Sequence, residues 1–327
     1  MKAIIPAAGI GTRLRPHTYT LPKALLYVAG KPIISHILDD VVPLGVSSIV
    51  LIVGYKGELI EEYVRRHYPD VDVEFVQQEE RRGIGHAIYL TRVKADKGEP
   101  LLIILGDTIV KSDLARAVKS PTNVLGVKEV ADPRRFGVAE LTGEFITRLF
   151  EKPEDPPSNL ALVGLYYLLD SRPLFEALQR EIDEGIMNHG EYQITDALQL
   201  MIDDGVRFKP HLIDEWFDCG KPEAMLATNR RLLEDAGAKV PSIEGCVIIP
   251  PVSISPDAEI SNSIVGPYVS VAEKAVIQDS IVRDSILSEG ATVKEAQLES
   301  SLVGTRAVVQ GGFRRVDIGD SSEIAFK

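Results

Sequence analysis

Cysteine is scarce in this chain: Cys219 and Cys246 are the only two in 327 residues. Two thiols can build neither a disulfide framework nor a cysteine metal cluster, and their scarcity fits a reducing cytoplasm. Long apolar runs are missing too. None reaches the ~20 residues that a membrane helix needs, and the amino terminus reads as a strand rather than a signal peptide. Positive charge is in deficit. With 48 acidic against 36 basic residues and a net charge of −12, and a pI near 5.1, the surface is ill suited to nonspecific nucleic-acid binding. The expectation is a cytoplasmic protein with neither membrane nor nucleic acid as partner, in which any phosphate compound must be held by a local site.

What is present is ordinary for a soluble globular protein: 45% hydrophobic and 26% charged residues. The length exceeds one average domain, so two are expected. The most informative stretch lies at the amino terminus. A short apolar strand, Ala3-Ile4-Ile5, runs into Pro6-Ala7-Ala8-Gly9-Ile10-Gly11-Thr12-Arg13-Leu14, and Lys23 follows. Small residues at 7, 8, 9 and 11 let the backbone close around a ligand without Cβ clashes. Successive N–H groups in such a turn form an anion nest, to which Arg13 and Lys23 add positive charge. Neither common phosphate loop fits. A Walker loop requires Lys and then Ser or Thr after its last glycine, whereas Thr12-Arg13 follows Gly11. The dinucleotide fingerprint requires Gly or Ala at position 14, which is Leu14.

The full string Ala7-Ala8-Gly9-Ile10-Gly11-Thr12-Arg13-Leu14-Arg15-Pro16, followed by Leu21-Pro22-Lys23-Ala24-Leu25-Leu26, resembles the sugar-1-phosphate nucleotidyltransferases. Their loop pattern is Gly-x-Gly-Thr-Arg-Leu with a Pro-Lys pair about ten residues later. The resemblance implies that Ala8, Gly9, Gly11, Thr12 and Arg13 wrap a nucleoside triphosphate and that Lys23 reaches the phosphates undergoing exchange. Leu105-Gly106-Asp107 and Trp216-Phe217-Asp218-Cys219-Gly220 match the family's Leu-Gly-Asp and Trp-x-Asp-x-Gly motifs, so Asp107 and Asp218 are implied magnesium ligands. A carboxylate beside a phosphate nest would otherwise be repelled; a hard divalent ion resolves this.

On the sugar side, Phe136-Gly137-Val138-Ala139-Glu140, Phe150-Glu151-Lys152-Pro153 and Leu162-Val163-Gly164-Leu165-Tyr166 follow the family order. They imply Gly137, Glu151, Lys152 and Gly164 as substrate contacts, with Glu151 accepting from sugar hydroxyls and Lys152 holding the sugar phosphate. Glu191 matches a further sugar contact. Gln78 and Gly83 have the spacing by which the thymidylyl- and uridylyltransferase branches read a pyrimidine. An amide offers both donor and acceptor to the imide edge that thymine and uracil share. His86 stands where the thymidylyl branch often has Gln and the glucose uridylyl branch often has His, so the base stays open.

The implied reaction is a sequential in-line displacement in which a sugar-1-phosphate, foremost glucose-1-phosphate, attacks the α-phosphorus of dTTP or UTP. Magnesium, Arg13, Lys23 and Lys152 offset the repulsion between the two anions. The alternatives are a UTP-specific enzyme for glucose-1-phosphate or an N-acetylhexosamine-1-phosphate, and a non-catalytic regulatory homologue. Against the last, Arg13, Lys23, Asp107 and Asp218 are all kept. An added acetyltransferase in the tail would rely on a histidine, and none lies beyond His211.

The rest of the chain fits two domains. Apolar runs at Ile4-Ile5, Ile49-Val50-Leu51-Ile52-Val53, Val73-Glu74-Phe75-Val76 and Leu101-Leu102-Ile103-Ile104-Leu105 read as buried parallel strands. Amphipathic helices lie between them. This predicts a Rossmann-like, mostly parallel α/β sheet over residues 1–236, with ligands at the carboxyl ends of the strands. Further helices are predicted from about Pro173 to Asp183 with Ser171 as cap, from Thr195 to Gly205, and from Pro222 to Leu233. The boundary is expected within 234–246. Over 241–327, Ser263-Ile264-Val265, Ser280-Ile281-Val282, Ser285-Ile286-Leu287 and Ser301-Leu302-Val303 repeat one phrase. Coils of about three hexads predict a small left-handed parallel β-helix rather than an irregular sandwich. Its side faces suit packing against copies of the chain, hence a homo-oligomer.

Overall fold

The computed structural model describes residues 1–237 and 241–311; 238–240 of the expected boundary and 312–327 of the expected tail domain lie outside them. The chain divides into two compact units, Met1–Thr228 and Asn229 onward.

The first unit is built on a nine-stranded sheet. Its strands are β1 (Lys2–Pro6), β2 (Ser48–Val53), β3 (Val73–Gln77), β4 (Leu101–Ile104), β6 (Asn123–Glu129), β7 (Gly137–Thr142), β8 (Phe145–Glu151), β9 (Leu160–Leu168) and β10 (Phe208–Leu212). They lie in the order β3-β2-β1-β4-β9-β6-β10-β8-β7. From β3 to β4 all pairings are parallel. Beyond β4 the sheet turns mainly antiparallel, with β6 and β10 parallel. A separate ribbon pairs β5 (Thr108–Lys111) with β11 (Glu215–Asp218).

β1, β2 and β4 read as continuous apolar runs because helices cover both faces, and their core residues are buried. Val73–Gln77 departs from the expected burial: it is the sheet's edge, and most of its residues are half-buried. The helices that matter for the site are α1 (Ile33–Val41), α2 (Gly57–His67), α3 (Ile84–Tyr89), α4 (Arg172–Asp183), α5 (Ile194–Asp203) and α6 (Pro222–Asp235). Ser171 does not cap α4. Its backbone is already helical, and its buried hydroxyl accepts from the Gly98 amide, while Asp170 receives the Arg172 amide instead. One core joins α3, α4 and α5 to the sheet through Ile88, Phe175, Leu178, Leu198 and Phe208.

The second unit holds three parallel ladders of a left-handed β-helix. Val247, Ile264, Ile281 and Gln297 stack in register on one side. A coil therefore takes 17 or 16 residues rather than the expected 18. The reason lies at the corners. Asn262, Tyr268, Lys274, Asp279, Asp284, Gly290, Glu295, Ser300 and Arg306 all have positive φ and fall five or six residues apart, so some sides are one residue short of a hexad. Inward valines, isoleucines and Leu287 fill the tube. Within this unit, Asn229 donates to the Tyr268 carbonyl and accepts from Ser270, and the half-exposed Arg230 pairs with the buried Asp284 carboxylate.

Candidate active site

The carboxyl ends of β1, β2 and β4 meet almost backbone to backbone. A Cβ at Gly106 would stand 2.7 Å from the Pro6 carbonyl oxygen, and one at Gly54 would stand 2.9 Å from Ala8. Only glycine and alanine permit this approach. Ala7 still donates to Ile52 and Leu14 donates back to Gly11; among the described residues, the amides between them enter no backbone hydrogen bond. Gly11 turns the chain with φ 69°, and its missing side chain leaves room for Lys23 and Thr18, whose carbons lie 3.1 Å from the Cβ position. Thr12 and Arg13 are exposed beside this turn.

Lys23 follows Pro22 on a single 3-10 turn and is buried, with 7% of its surface exposed. Its Nζ lies 2.7 Å from Asp107 Oδ2. Burial works to raise the Asp107 pKa, but the Lys23 charge and hydrogen bond, with the Thr108 hydroxyl, outweigh it and hold the carboxyl below its ordinary range. The β5–β11 ribbon pairs Asp218 with Thr108, which sets Asp107 and Asp218 at one end of the same ribbon. A Cβ at Gly220 would lie 2.8 Å from Asp218 Oδ1 and 2.7 Å from Arg13 Nη2, so this glycine lets the carboxylate and the guanidinium share one spot. Cys219 is fully buried beside them; burial pushes its thiol up to about 12, so it is inert.

A cavity of about 270 Å³ opens here, and Ala8, Gly9, Lys23, Gln78, Gly83, Asp107 and Glu191 all line it. Gly11, Thr12, Arg13, Gly137, Glu151, Lys152, Gly164 and Asp218 lie outside its lining; Arg81 and Leu105, neither of which was an expected contact, are part of it. A Cβ at Gly9 meets no atom within 4 Å, so the protein's own packing does not require glycine there. Gly9→Ala should therefore melt like the wild type while kcat/KM for the triphosphate falls about 10- to 100-fold, the scale of one misplaced methyl in a binding site. Parallel melting and steady-state measurements check this.

Gln78 and Gly83 are joined directly. Gln78 Nε2 donates to the Gly83 carbonyl at 3.1 Å, leaving one amide hydrogen and the amide oxygen for another group. Gly83 has φ 106°, and its Cβ position lies 2.2 Å from the Tyr192 carbonyl oxygen. His86 is not in the lining; burial, aided by Arg82, lowers its pKa and keeps the imidazole neutral at pH 7.

Gly137, Glu151 and Lys152 form a second group. Gly137 pairs with Glu151 across β7 and β8. Glu151 Oε2 accepts from the Thr195 hydroxyl at 2.7 Å, and Oε1 lies 2.8 Å from Lys152 Nζ. Lys152 has φ 45°, and its amide donates to the Phe136 carbonyl. Glu191 accepts from Gln193 at 3.2 Å. Gly164 has a packing reason of its own: a Cβ there would meet the Leu105 side chain at 2.6 Å. Thr195, which orients Glu151, carries no motif that sequence reading would flag.

For a metal, the donor set decides. Among the described residues no cluster of three His, Cys, Asp or Glu exists that would cage an ion. Two carboxylates, Asp107 and Asp218, fit a hard divalent cation that takes its other oxygens from phosphate and water.

The family model described as Nucleotidyl transferase matches residues 2–235. A glucose-1-phosphate thymidylyltransferase of Streptomyces antibioticus is 32% identical, covering 99% of both chains. A UTP–glucose-1-phosphate uridylyltransferase of Haloferax volcanii is 36% identical, covering 72% of this chain and 98% of its own. Among solved structures, a UDP-glucose pyrophosphorylase complexed with UDP-glucose matches with a TM-score of 0.62 and 27% identity, over 72% of this chain and 98% of that one. The chain belongs to the nucleotidyl transferase family and is a sugar-1-phosphate nucleotidyltransferase.

Proposed function

We propose that the enzyme transfers a nucleotidyl group from dTTP or UTP to glucose-1-phosphate. An oxygen of the sugar phosphate attacks the α-phosphorus, the bond to the β-phosphate oxygen breaks, and pyrophosphate leaves. The observation that carries this reading is the single cavity in which the glycine turn, buried Lys23, Asp107 and the Gln78–Gly83 pair converge. Such a reaction depends on positioning and charge neutralisation rather than on a protein nucleophile. Ala8, Gly9, Gly11 and Thr12 would take the phosphates, Arg13 and Lys23 the charge that moves to pyrophosphate, and Lys152 the sugar phosphate. Glu151, Glu191 and the backbone at Gly137 would take sugar hydroxyls, with Gly164 seating Leu105 in the wall. Gln78 and Gly83 would read the imide edge shared by thymine and uracil.

Family enzymes use a divalent metal; here Mg²⁺ on Asp107 and Asp218 would supply Lewis-acid neutralisation of the phosphates. Catalysis is assigned to residues 1–236 and assembly of a homo-oligomer to the β-helix of 241–327. A reducing cytoplasm suits the two free cysteines. The second reading, a UTP-specific enzyme for glucose-1-phosphate or an N-acetylhexosamine-1-phosphate, is favoured by the uridylyltransferase relative.

A matrix of triphosphates against sugar phosphates, read by pyrophosphate release with Mg²⁺, tests the proposal. Release with dTTP or UTP plus glucose-1-phosphate should exceed that with ATP or GTP by at least about 100-fold, the discrimination that unpaired polar groups impose. Preference for a purine triphosphate would overturn the assignment. Labelled pyrophosphate should not exchange into the triphosphate without sugar phosphate; exchange would indicate a nucleotidyl-enzyme.

A further inference from the structure

Glu181 carries a carboxyl for which the reaction above has no use, yet it is completely buried. It sits near the end of α4 (Arg172–Asp183), on the side that packs against α3 and α5. Its Oε1 accepts the Gln193 amide at 2.7 Å. Its Oε2 is buried with no hydrogen-bond partner and lies 2.9 Å from the Cβ position of Gly85. No side chain other than glycine's fits between that oxygen and the Tyr192 carbonyl, 3.0 Å from the same point.

The segment that Glu181 holds is the one that closes the cavity. Tyr192 donates to the Arg82 carbonyl, and Gly85 donates to the Tyr192 carbonyl. These two bonds clip residues 191–193 to residues 82–85, and Arg82 adds a hydrogen bond to the Tyr192 hydroxyl at 3.0 Å. Gly83 on one strand of the clip and Glu191 on the other both line the cavity. We propose that Glu181 is a positioning residue: by pinning the Gln193 amide it fixes the clip that sets Gly83 on the nucleotide side and Glu191 on the sugar side. This rests on the assignment of the cavity to a nucleoside triphosphate.

The carboxyl does this as an acid. Burial, opposed by the Gln193 hydrogen bond and reinforced by Asp196, raises its pKa to about 8. The titratable groups facing it are few. Asp196 on α5 is itself raised, by burial and then by Glu151. On the α3 side, burial and then the neighbouring Arg82 lower His86, so it stays neutral across the alkaline range. Raising the pH through 8 therefore places a negative charge on Glu181 with one oxygen unsolvated, and the clip opens. The sign for stability follows. A folded-state pKa above the unfolded value makes a contribution that is complete below about 4.5 and lost as pH rises to about 8.

The test compares wild type, Glu181→Gln, Glu181→Ala and Asp196→Asn from pH 6 to 9.5, with KM and kcat for dTTP and UTP and melting at each pH. Glutamine keeps the acceptor for Gln193 and cannot ionise. In the wild type, KM should climb several-fold above pH 8 with kcat little changed, while Glu181→Gln keeps its pH 7 value throughout. Its melting temperature should gain on the wild type from pH 6 to about 8 and then run parallel. Glu181→Ala, which strands the Gln193 amide, should raise KM about tenfold at every pH. Asp196→Asn should keep the rise and shift it to lower pH. Identical KM profiles for wild type and Glu181→Gln would overturn the proposal, as would a rise abolished by Asp196→Asn but not by Glu181→Gln. A wild type without pyrophosphate release in any combination would instead sink the substrate assignment.

Discussion

Lys23→Ala is expected to lower kcat by roughly 10²–10³-fold, the scale for losing one preorganised charge contact, with a small change in melting temperature. The two halves of this expectation have separate causes. The ammonium is buried at the cavity wall, 2.7 Å from Asp107, so it is held in place before any substrate arrives and costs no reorganisation during reaction. Its partner carboxylate is half-exposed to the cavity, so water can replace the lost cation and the fold survives. The variant should also shift its acid limb. In the wild type, Lys23 overrides burial and keeps the Asp107 pKa low. Without it the charge and hydrogen bond that hold the carboxyl low are gone, and activity that needs the ionised form is lost at a higher pH. Rates over pH 4.5–8 read both effects; wild-type turnover in the variant would remove Lys23 from the chemistry.

Gly83→Ala should be damaging in a different way. The new methyl would stand 2.2 Å from the Tyr192 carbonyl oxygen and 2.8 Å from its nitrogen, on a backbone at φ 106°. Neither backbone has a flexible end that can give way. Overpacking and a forbidden φ each cost about 1–3 kcal/mol, which for a unit of this size lowers the melting temperature by roughly 10 °C. The same displacement pulls Gln78 away from the Gly83 carbonyl and moves Glu191. A fall in kcat/KM of at least about 100-fold, carried chiefly by KM for the triphosphate, is the expected reading. Gly9→Ala is the instructive contrast, because there the methyl meets no protein atom. If Gly83→Ala melts like the wild type, the close approach to Tyr192 is not rigid.

Part of the cavity lining was legible because its residues sit in short motifs. Gly11, Gly83 and the Gly106 of Leu105-Gly106-Asp107 all concern close approach, which sequence records as small residues. The ribbon that brings Asp218 to Asp107 was not legible as geometry, since pairing partners over a hundred residues apart leave no local trace. Thr195 and Glu181 were missed for a related reason: each acts through one tertiary hydrogen bond, and a lone threonine or glutamate on an amphipathic helix looks like any other. Ser171 failed as a cap because its hydroxyl went to Gly98 in a distant loop. In the tail, the recurring Ser-Ile-Val phrase correctly marked stacked rungs, since Ile264 and Ile281 are register partners. Its spacing of 17 was rounded to hexads because nothing in the string announces a five-residue side.

The contacts among Pro6, Ala7, Ala8, Gly54 and Gly106 carry an evolutionary consequence. A surface made of main chain pressed on main chain has no rotamers to vary, so mutation can only ruin it. Diversification among descendants must then fall on the lining residues that carry variable side chains, such as Gln78, Arg81 and Glu191. Attempts to retrain the enzyme toward new donors or acceptors should randomise those side chains and leave the glycines alone.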